Sequence, residues 1–394
     1  MLQTLSNLID TRRDYLVDVR RHMHRNPELS GSETKTTQYL ADLLRGEELN
    51  FTIGPEDRGL IVDLGDPALA SKRIALRADI DAIPVHDTKS VNYRSTVDNV
   101  MHACGHDAHS TMLLGALILL KHWFDQEPRK HLAVRAIFQP EEENACGAMR
   151  LIRHGVLENV SAIMGCHVDS SRPVGEVGYR SGILTAHCDD VTVTISGKSG
   201  HAARPHETID PIATAAQFIQ SVYSMVNRAV NSQFPVVLTF GQIIGGHGAN
   251  VIPDLVTLRG TLRTLDPKAR QKTIEVVGDI AGGIAAATGA TINADFGLHV
   301  PSVVADNDMT ELVRSTCEEI LGAGKVKPLL RPSMGGEDFA FYTQHLPASF
   351  IRVGSAGEGS CNLPLHNSGF DIDEDVLPIG AQILSNCAIS YLTR

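Results

Sequence analysis

Cys104 and His106 stand two positions apart, with Gly105 between them, in the stretch Met101-His102-Ala103-Cys104-Gly105-His106-Asp107. A thiolate and an imidazole are ligand types for a transition metal, and residues i and i+2 of an extended backbone face one side. Gly105 lets the main chain turn tightly around whatever they hold. A packed thiol beside two imidazoles would read the same way. What separates the two readings is whether other ligand types arrive at the same place.

Glu142 and Glu143 come just after an apolar run that Pro140 closes. As neighbours past a strand end, their side chains should diverge. If Glu143 faces a metal, Glu142 lies beside the open coordination position and can handle a proton there, which is what hydrolysis needs. A solvated acidic loop is the plainer reading of Glu141 to Glu143. His167 and His366 are further imidazoles, each structural if taken alone. Asp79 and Asp81 share one side of an extended segment; they can orient ligand imidazoles from behind or simply pair with Arg73 or Arg77. His201 and His206 occupy a Gly-rich polar loop, as surface residues or as a lid's donors to an oxyanion. Asn250 and Arg263 are candidate anchors for a substrate carboxylate, which suits the guanidinium fork; an exposed strand position is the alternative for Arg263. Gly335-Gly336 presents backbone N–H groups to an anion or forms only a turn.

The elements that must position these residues alternate. Helical spacing runs from Leu2 to His24 and again from Ser32 to Leu44. Short strands are expected at 73–77, 131–139 and 160–168, the last with His167 at its C-terminal end. Between them fall a helix over 110–124, apolar all round and so buried, and a helix over 145–154. This is the pattern of a largely parallel sheet, in which ligands collect at the carboxyl ends of the strands. Asp79, Asp81, Glu142, Glu143 and His167 all sit at such ends.

The texture changes near residue 185. A cleanly alternating strand at 190–196 opens a strand–helix–strand–strand–helix–strand series with helices at 211–229 and 267–288. That order is a ferredoxin-like α+β unit, a small antiparallel sheet with two helices on one face. It divides the chain into a catalytic domain over 1–184 and 299–394 and an insertion over 185–298. The return carries a helix over 308–321, a strand over 348–353 and a final helix over 377–392.

The 394 residues carry 35 basic and 46 acidic side chains, a formal charge of −11 that argues against a nucleic-acid or anionic-membrane partner. Seven scattered cysteines form no CxxC pair, so a reducing, cytoplasmic setting is expected. The first residues show no signal-peptide pattern, and the run Met112 to Leu120 is too short to cross a bilayer.

The ordered motifs resemble the metallo-amidohydrolases of peptidase family M20, in the branch of hippurate hydrolases, N-acyl-amino-acid amidohydrolases and auxin-conjugate hydrolases. They are His24-xx-Pro27-Glu28-Leu29, Arg77 to Pro84, His102 to Asp107, Phe138-Gln139-Pro140 with Glu142-Glu143, and Gly165-Cys166-His167-Val168. They continue through Gly200-His201 with Pro205-His206, Asn250 to Pro253, Glu337-Asp338-Phe339, Leu365-His366 and Asp375 to Pro378. The resemblance implies two divalent ions (Zn, Mn, Ni or Co) held by Cys104, His106, Glu143, His167 and His366, with Glu142 as general base. It implies a catalytic domain split by a lid-and-dimerisation domain, with His201 supporting the oxyanion, often across a dimer interface. Asn250, Arg263 and His206 would line the substrate side, and Asp79 and Asp81 would stand behind the ligands. Two segments depart from the family: Asn144-Ala145-Cys146-Gly147 replaces a run of glycines, and Asp169-Ser170-Ser171 replaces an aromatic after His167. Both bear on substrate identity and point to a more polar pocket.

The expectation is therefore a mostly parallel α/β metallo-hydrolase with an inserted lid, a homodimer or a tetramer built from it. It would cleave the amide of an N-acyl amino acid or a similar small conjugate. The alternatives are a dipeptidase of the same fold and a catalytically silent metal- or ligand-binding protein. A silent relative would be expected to lose Glu142, which is present.

Overall fold

In the computed structural model, which describes residues 2–66, 68–126, 129 and 131–394, the apolar runs form the middle of an eight-stranded sheet. The chain divides into two units, one of Met1–Leu184, Val303–Arg331 and Glu337–Arg394, the other of Thr185–Ser302 and Pro332–Gly336.

In the first unit the strands lie in the order Phe51–Ile53, Leu60–Gly65, Leu132–Gln139, Lys72–Asp79, Ala162–Pro173, Ala348–Ala356, Val177–Tyr179 and Val326–Pro328. The four central strands, Leu132–Gln139 through Ala348–Ala356, are mutually parallel. They are buried along almost their whole length, which explains why they read as continuous apolar runs. The outer strands are short, and several run antiparallel. The strand carrying His167 continues to Pro173, past its expected end at 168. The cause is the partner: Ala348–Ala356 pairs with it through Asp169 and, after an irregularity in register, again at Pro173.

Helix His106–Gln126 lies in the core, buried on every side, as its uniform hydrophobicity requires. It starts four residues earlier than its apolar run, so His106 and Asp107 form its first turn. The final helix, Val376–Thr393, is long and apolar enough to cross a bilayer, yet most of it is buried here, packed along helix His106–Gln126. Gly380 permits that approach, since a Cβ there would fall 1.9 Å from the Met112 sulfur.

A buried ionic network ties the N-terminal helix Arg13–Arg25 to the start of helix His106–Gln126 and to the C-terminal segment. Arg20, fully buried, meets Asp107 through Nε at 2.9 Å and Asp371 through Nη2 at 2.9 Å. His24 Nδ1 lies 2.7 Å from the same Asp107 carboxylate, and Tyr93 donates its hydroxyl to Asp371 at 2.8 Å.

The second unit is the expected βαββαβ arrangement. Its sheet runs Val236–Gly245, Leu255–Thr264, His187–Ser196, Thr291–Val300, every neighbour antiparallel. Asp210 and Asp266 cap helices Pro211–Ala229 and Pro267–Thr288, each accepting from backbone N–H groups ahead of it, with proline at the first helical position. Val191, Val193 and Ile195 alternate onto the face covered by Phe218, Val222, Val277 and Ile280.

Burial alone would push the Asp371 carboxyl up, but Arg20, Tyr93 and Lys89 outweigh it and hold it below the usual carboxylate range. A depressed carboxylate contributes stability above its unfolded pKa, near 3.9, and that contribution is lost as the pH falls through the folded value. Asp371→Asn should therefore cost about 1–3 kcal/mol at pH 7. Thermal melts from pH 7 to pH 3 should show the gap between variant and parent closing on acidification; a gap that stays constant would contradict this.

Candidate metal centre

Strand ends and the loops after them deliver the candidate ligands. Cys104 Sγ, a nitrogen of His106 and a nitrogen of His167 lie within 4.8 Å of one another, and so do Cys104, Glu143 and His366. His106, Glu142 and Glu143 form a third such group, which makes one continuous constellation within the first unit. Cys104, His106 and His167 are buried, whereas His366 is exposed on its loop. That loop is fixed by the His366 N–H donating to Ala103 O at 2.8 Å, with His366 in the left-handed region at φ 66°. A non-glycine residue held there marks a position over-determined by its surroundings.

The acidic loop is neither solvated nor simple. Glu141 and Ala145 both take positive φ, 60° and 54°, on either side of the Glu142–Glu143 pair. The loop closes so tightly that a Cβ on Gly147 would fall 1.7 Å from Pro140 O. Glu141 is buried and turned away, to Arg58 Nη1 at 2.9 Å and Arg150 Nε at 3.0 Å. Glu142 and Glu143 each place an oxygen 3.9 Å from His106 Nε2, and then part company. Glu143 continues to His366 Nε2 at 3.5 Å, while Glu142 joins Glu337 and Asp338.

Behind the ligands stands a layer of carboxylates. Asp81 Oδ1 is 3.2 Å from His106 Nδ1, and Asp81 Oδ2 accepts the Glu143 N–H at 3.0 Å. Asp79 pairs with Arg77, as one of its two expected readings has it, and its other oxygen meets His109 rather than a candidate ligand. One oxygen takes His109 Nδ1 at 2.6 Å and the other takes Arg77 Nη1 at 2.7 Å. Arg73 plays no part, since its guanidinium donates to Glu158 O at 3.2 Å.

His109 is the residue the sequence reading passed over. Its Nε2 accepts the Val168 N–H at 2.9 Å, and its ring stacks edge-on to His167 at 4.5 Å. The signal was available, because His109 follows His106 by one helical turn and shares its face. Also missed was the role of Arg77, Gln139, Glu337 and Asp338. Arg77 Nη2 reaches Asp338 at 2.6 Å and Glu337 at 3.2 Å, and its Nε donates to Gln139 Oε1 at 2.9 Å. Asp338 also accepts from Gln139 Nε2 and from the Ala148 N–H, and its own N–H points at Glu142 Oε1 from 3.4 Å.

The remaining candidates belong to the second unit. His201 pairs with Val251 in a two-residue ladder, and Asn250 O accepts the Ala202 N–H at 3.0 Å, so His201 and Asn250 share one exposed loop pair. His206 is exposed in the turn Pro205–Glu207. Arg263 is partly buried, its Nη1 shared between Cys188 Sγ and Met334 O at 3.2 Å each.

The donor set fits a divalent transition ion. His106 Nδ1 is engaged by Asp81 and His167 Nδ1 by Val168 O at 2.8 Å, which turns Nε2 of each ring to the centre, that of His167 lying 3.3 Å from Cys104 Sγ. His106 Nε2 and Glu143 Oε1 are buried and, among the described residues, have no hydrogen-bond partner. Burial lowers the His106 pKa, yet Asp79, Cys104 and Asp81 override it and draw the ring strongly towards its cationic form. Surroundings that favour an imidazolium favour a dication at the same place. Burial, with the Arg352 guanidinium adding to it, holds His167 well below the ordinary imidazole range. Sulfur, nitrogen and oxygen donors together suit Zn-like ions of the first transition row.

Such donors beside a carboxylate left free to move protons are the equipment of a metal-dependent hydrolase, and that is the class to which this chain belongs. Residues 75–390 match the profile of Peptidase family M20/M25/M40, and the chain is a member of that family. It is 37% identical over 380 residues to N-acetylcysteine deacetylase of Bacillus subtilis, covering 96% of this chain and 97% of that protein. An IAA-amino acid hydrolase of Arabidopsis thaliana is 34% identical over 384 residues, 96% of this chain and 86% of the relative. Among solved structures, a dinuclear metal-binding peptidase of the M20 family from Bacillus subtilis matches with a TM-score of 0.83 at 33% identity, over 98% of this chain and 99% of that one.

Asp338→Asn should test the layer behind Glu142. The expected result is a loss of kcat of about 10- to 100-fold, with metal content unchanged and KM nearly so, and a lowered melting temperature because buried Arg77 loses a carboxylate partner. A loss of activity that tracks loss of metal would place Asp338 in ligand support instead.

Proposed function

We propose that this chain hydrolyses the amide bond of N-acyl amino acids or similar small conjugates. In this reading two divalent ions are held by Cys104, His106, Glu143, His167 and His366. The observation that carries it is the placement of Glu142, which stands beside His106 and Glu143 while its carboxylate also reaches Glu337 and Asp338. The bound ions supply Lewis-acid polarisation of the scissile carbonyl and of water.

Glu142 takes the proton of the attacking water and delivers it to the leaving amine. Burial, and then the charges of Glu337, Glu143 and Asp338, push its carboxyl well above the ordinary glutamate range, which makes it a stronger base once ionised. Asp81 holds the His106 ring, and Asp79 acts on His167 through His109. His201 donates to the developing oxyanion, and Asn250, Arg263 and His206 engage the substrate's carboxylate side; these four roles rest on the family resemblance. The substrate range follows from relatives named for N-acetylcysteine and IAA-amino acid hydrolysis. The ions are Zn, Mn, Ni or Co, consistent with the mixed donor set. The described cysteines are all free, which supports a cytoplasmic setting.

The deciding experiment pairs a panel of N-acyl amino acids with two variants. Turnover should stop with chelator and return with metal. Glu142→Gln should keep its metals and substrate affinity while kcat falls by about 10²–10⁴-fold or more. Glu143→Ala should lose metal and partly recover activity when metal is in excess. Should Glu142→Gln lose its metal or turn over normally, the role assignment is wrong.

A homodimer through the second unit, or a tetramer built from it, completes the reading. Strand Val236–Gly245 is an edge of its sheet, and Val237, Ile243 and Ile244 are exposed along it. An apolar edge of that length calls for a cover. Sedimentation at micromolar concentration should give the dimer mass, and Ile243→Lys should shift it to monomer. A fully active monomeric parent would overturn this part.

A further inference from the structure

Glu142 lies between two backbone amides that are both held by buried carboxylates. On its C-terminal side the Glu143 N–H donates to Asp81 Oδ2 at 3.0 Å. On its N-terminal side the Glu141 N–H donates to Glu33 Oε1 at 2.9 Å, across 108 residues of chain. Asp81 has a second duty there, since it also holds the candidate ligand His106. Glu33 has none: among the described residues its carboxylate meets only Gly31, Arg58 and Glu141, none of them a candidate ligand.

Glu33 is fully buried and opens helix Thr34–Gly46, yet its carboxylate caps no N–H of that helix. A polar side chain at such a position ordinarily caps the helix it starts. Here it turns away. Oε1 accepts the Gly31 and Glu141 N–H groups together, at 2.8 and 2.9 Å, while Oε2 faces Arg58 Nη1 at 3.5 Å. The same Arg58 nitrogen lies nearer to Glu141 Oε1, at 2.9 Å, so Glu33 shares its cation with a second acid. A carboxylate buried on those terms is costly; its return is a pair of charge-assisted bonds.

The residue that receives them is where the loop leaves the strand. Glu141 has φ 60°, and its carbonyl accepts the Cys146 and Gly147 N–H groups at 3.2 and 3.1 Å. A non-glycine residue stays in that region only while its surroundings hold it, and any change in its dihedrals would swing Glu142. Gly31 makes the close approach possible, since a Cβ there would fall 3.1 Å from Glu141 Oε1. Helix Thr34–Gly46 anchors the arrangement from behind, with Thr37 Oγ1 accepting the Gly59 N–H at 2.9 Å. We propose that Glu33 is a positioning residue for the base: acting through the Glu141 amide, it sets where the Glu142 carboxylate stands. The proposal rests on the assignment of Glu142 as base and deepens it.

Three replacements in the metal-loaded full chain separate reach from charge. Glu33→Gln keeps an oxygen at the same reach and loses the charge, Glu33→Asp keeps the charge and withdraws the oxygen, and Glu33→Ala removes both. A misplacement of about 1 Å costs about 10²-fold, so Glu33→Ala and Glu33→Asp should lose about 10- to 100-fold in kcat, with full metal content and KM within about threefold. Glu33→Gln should melt lower, its charge opposite Arg58 being gone, and yet keep kcat within about fivefold of the parent. A merely structural carboxylate gives the reverse order, with turnover following the melting temperature. Repeated in a Glu142→Gln chain, Glu33→Asp should change the residual kcat by about threefold or less, because the group it positions no longer takes the proton.

Parental kcat in Glu33→Asp overturns the positioning role. So does a Glu33→Gln kcat as low as that of Glu33→Asp, a loss that tracks metal content or melting temperature, or an undiminished loss in the Glu142→Gln chain. Should Glu33→Ala not fold, the aspartate and glutamine variants decide alone. A Glu142→Gln chain that turns over normally overturns the base assignment and this proposal together.

Discussion

The guanidinium of Arg77 is buried, with every contact it makes taken up by the chemistry around it. Asp79, Glu337, Asp338 and Gln139 surround it, and through them it touches both halves of the centre. On one side Asp79 passes orientation to His109 and the strand that bears His167. On the other, Asp338 braces the loop that carries Glu142. A buried guanidinium without these partners would cost several kcal/mol, so the fold can bury Arg77 only with all of them in place. One cation thereby specifies the spacing between the ligand side and the base side. It does not neutralise the region, because Asp79, Asp81, Glu142, Glu143, Glu337 and Asp338 outnumber it. The surplus negative charge is what a pair of divalent ions would balance.

One short loop carries both the candidate base Glu142 and the candidate ligand Glu143. Its two positive-φ residues turn Glu141 outward to Arg58 and Arg150, and this frees Glu142 and Glu143 to face inward. Asn144, one residue later, ties the loop to Ser30 O at 3.2 Å. Backbone strain at Glu141 and Ala145 is thus offset by buried ion pairs and by the closure over Pro140. The departure from the family's glycine run falls within this loop. It replaces flexible positions by Asn144, which has a specific structural partner.

Much of the framework was legible because its signals are local. Parallel strands announce themselves as unbroken apolar runs, the central helix as hydrophobicity without a polar face, and the insertion as a change from runs to alternation. Two Asp-Pro pairs fixed the starts of its helices. The short outer strands Phe51–Ile53, Val177–Tyr179 and Val326–Pro328 escaped notice, since three residues carry no period and their identity comes from the neighbour they pair with. For the candidate centre, residue type singled out Cys104, His106, Glu142 and Glu143, which the fold brings together. It could not reveal that Glu141 turns away, nor that His109 acts through Val168. Such facts depend on which side chains meet across the sheet. Arg77 was legible as a partner of Asp79, but Asp338 was visible only as a motif letter, because its meaning lies in a contact with Arg77 spanning 261 residues.

That long span has a consequence for how the molecule comes into being. Strand Ala348–Ala356 does not add to an edge; it slots between Ala162–Pro173 and Val177–Tyr179, both made long before it. As the chain leaves the ribosome, the whole inserted unit, with its own core, is synthesised before the sheet of the first unit has its full complement of strands. Until then Arg77 lacks Glu337 and Asp338, and His366 has not yet reached Ala103. Contacts so distant in sequence make this a slow, late closure. The candidate centre therefore cannot be complete until residues 337–366 have been made, and the nascent chain carries Cys104, His106 and Glu143 for much of its synthesis without His366.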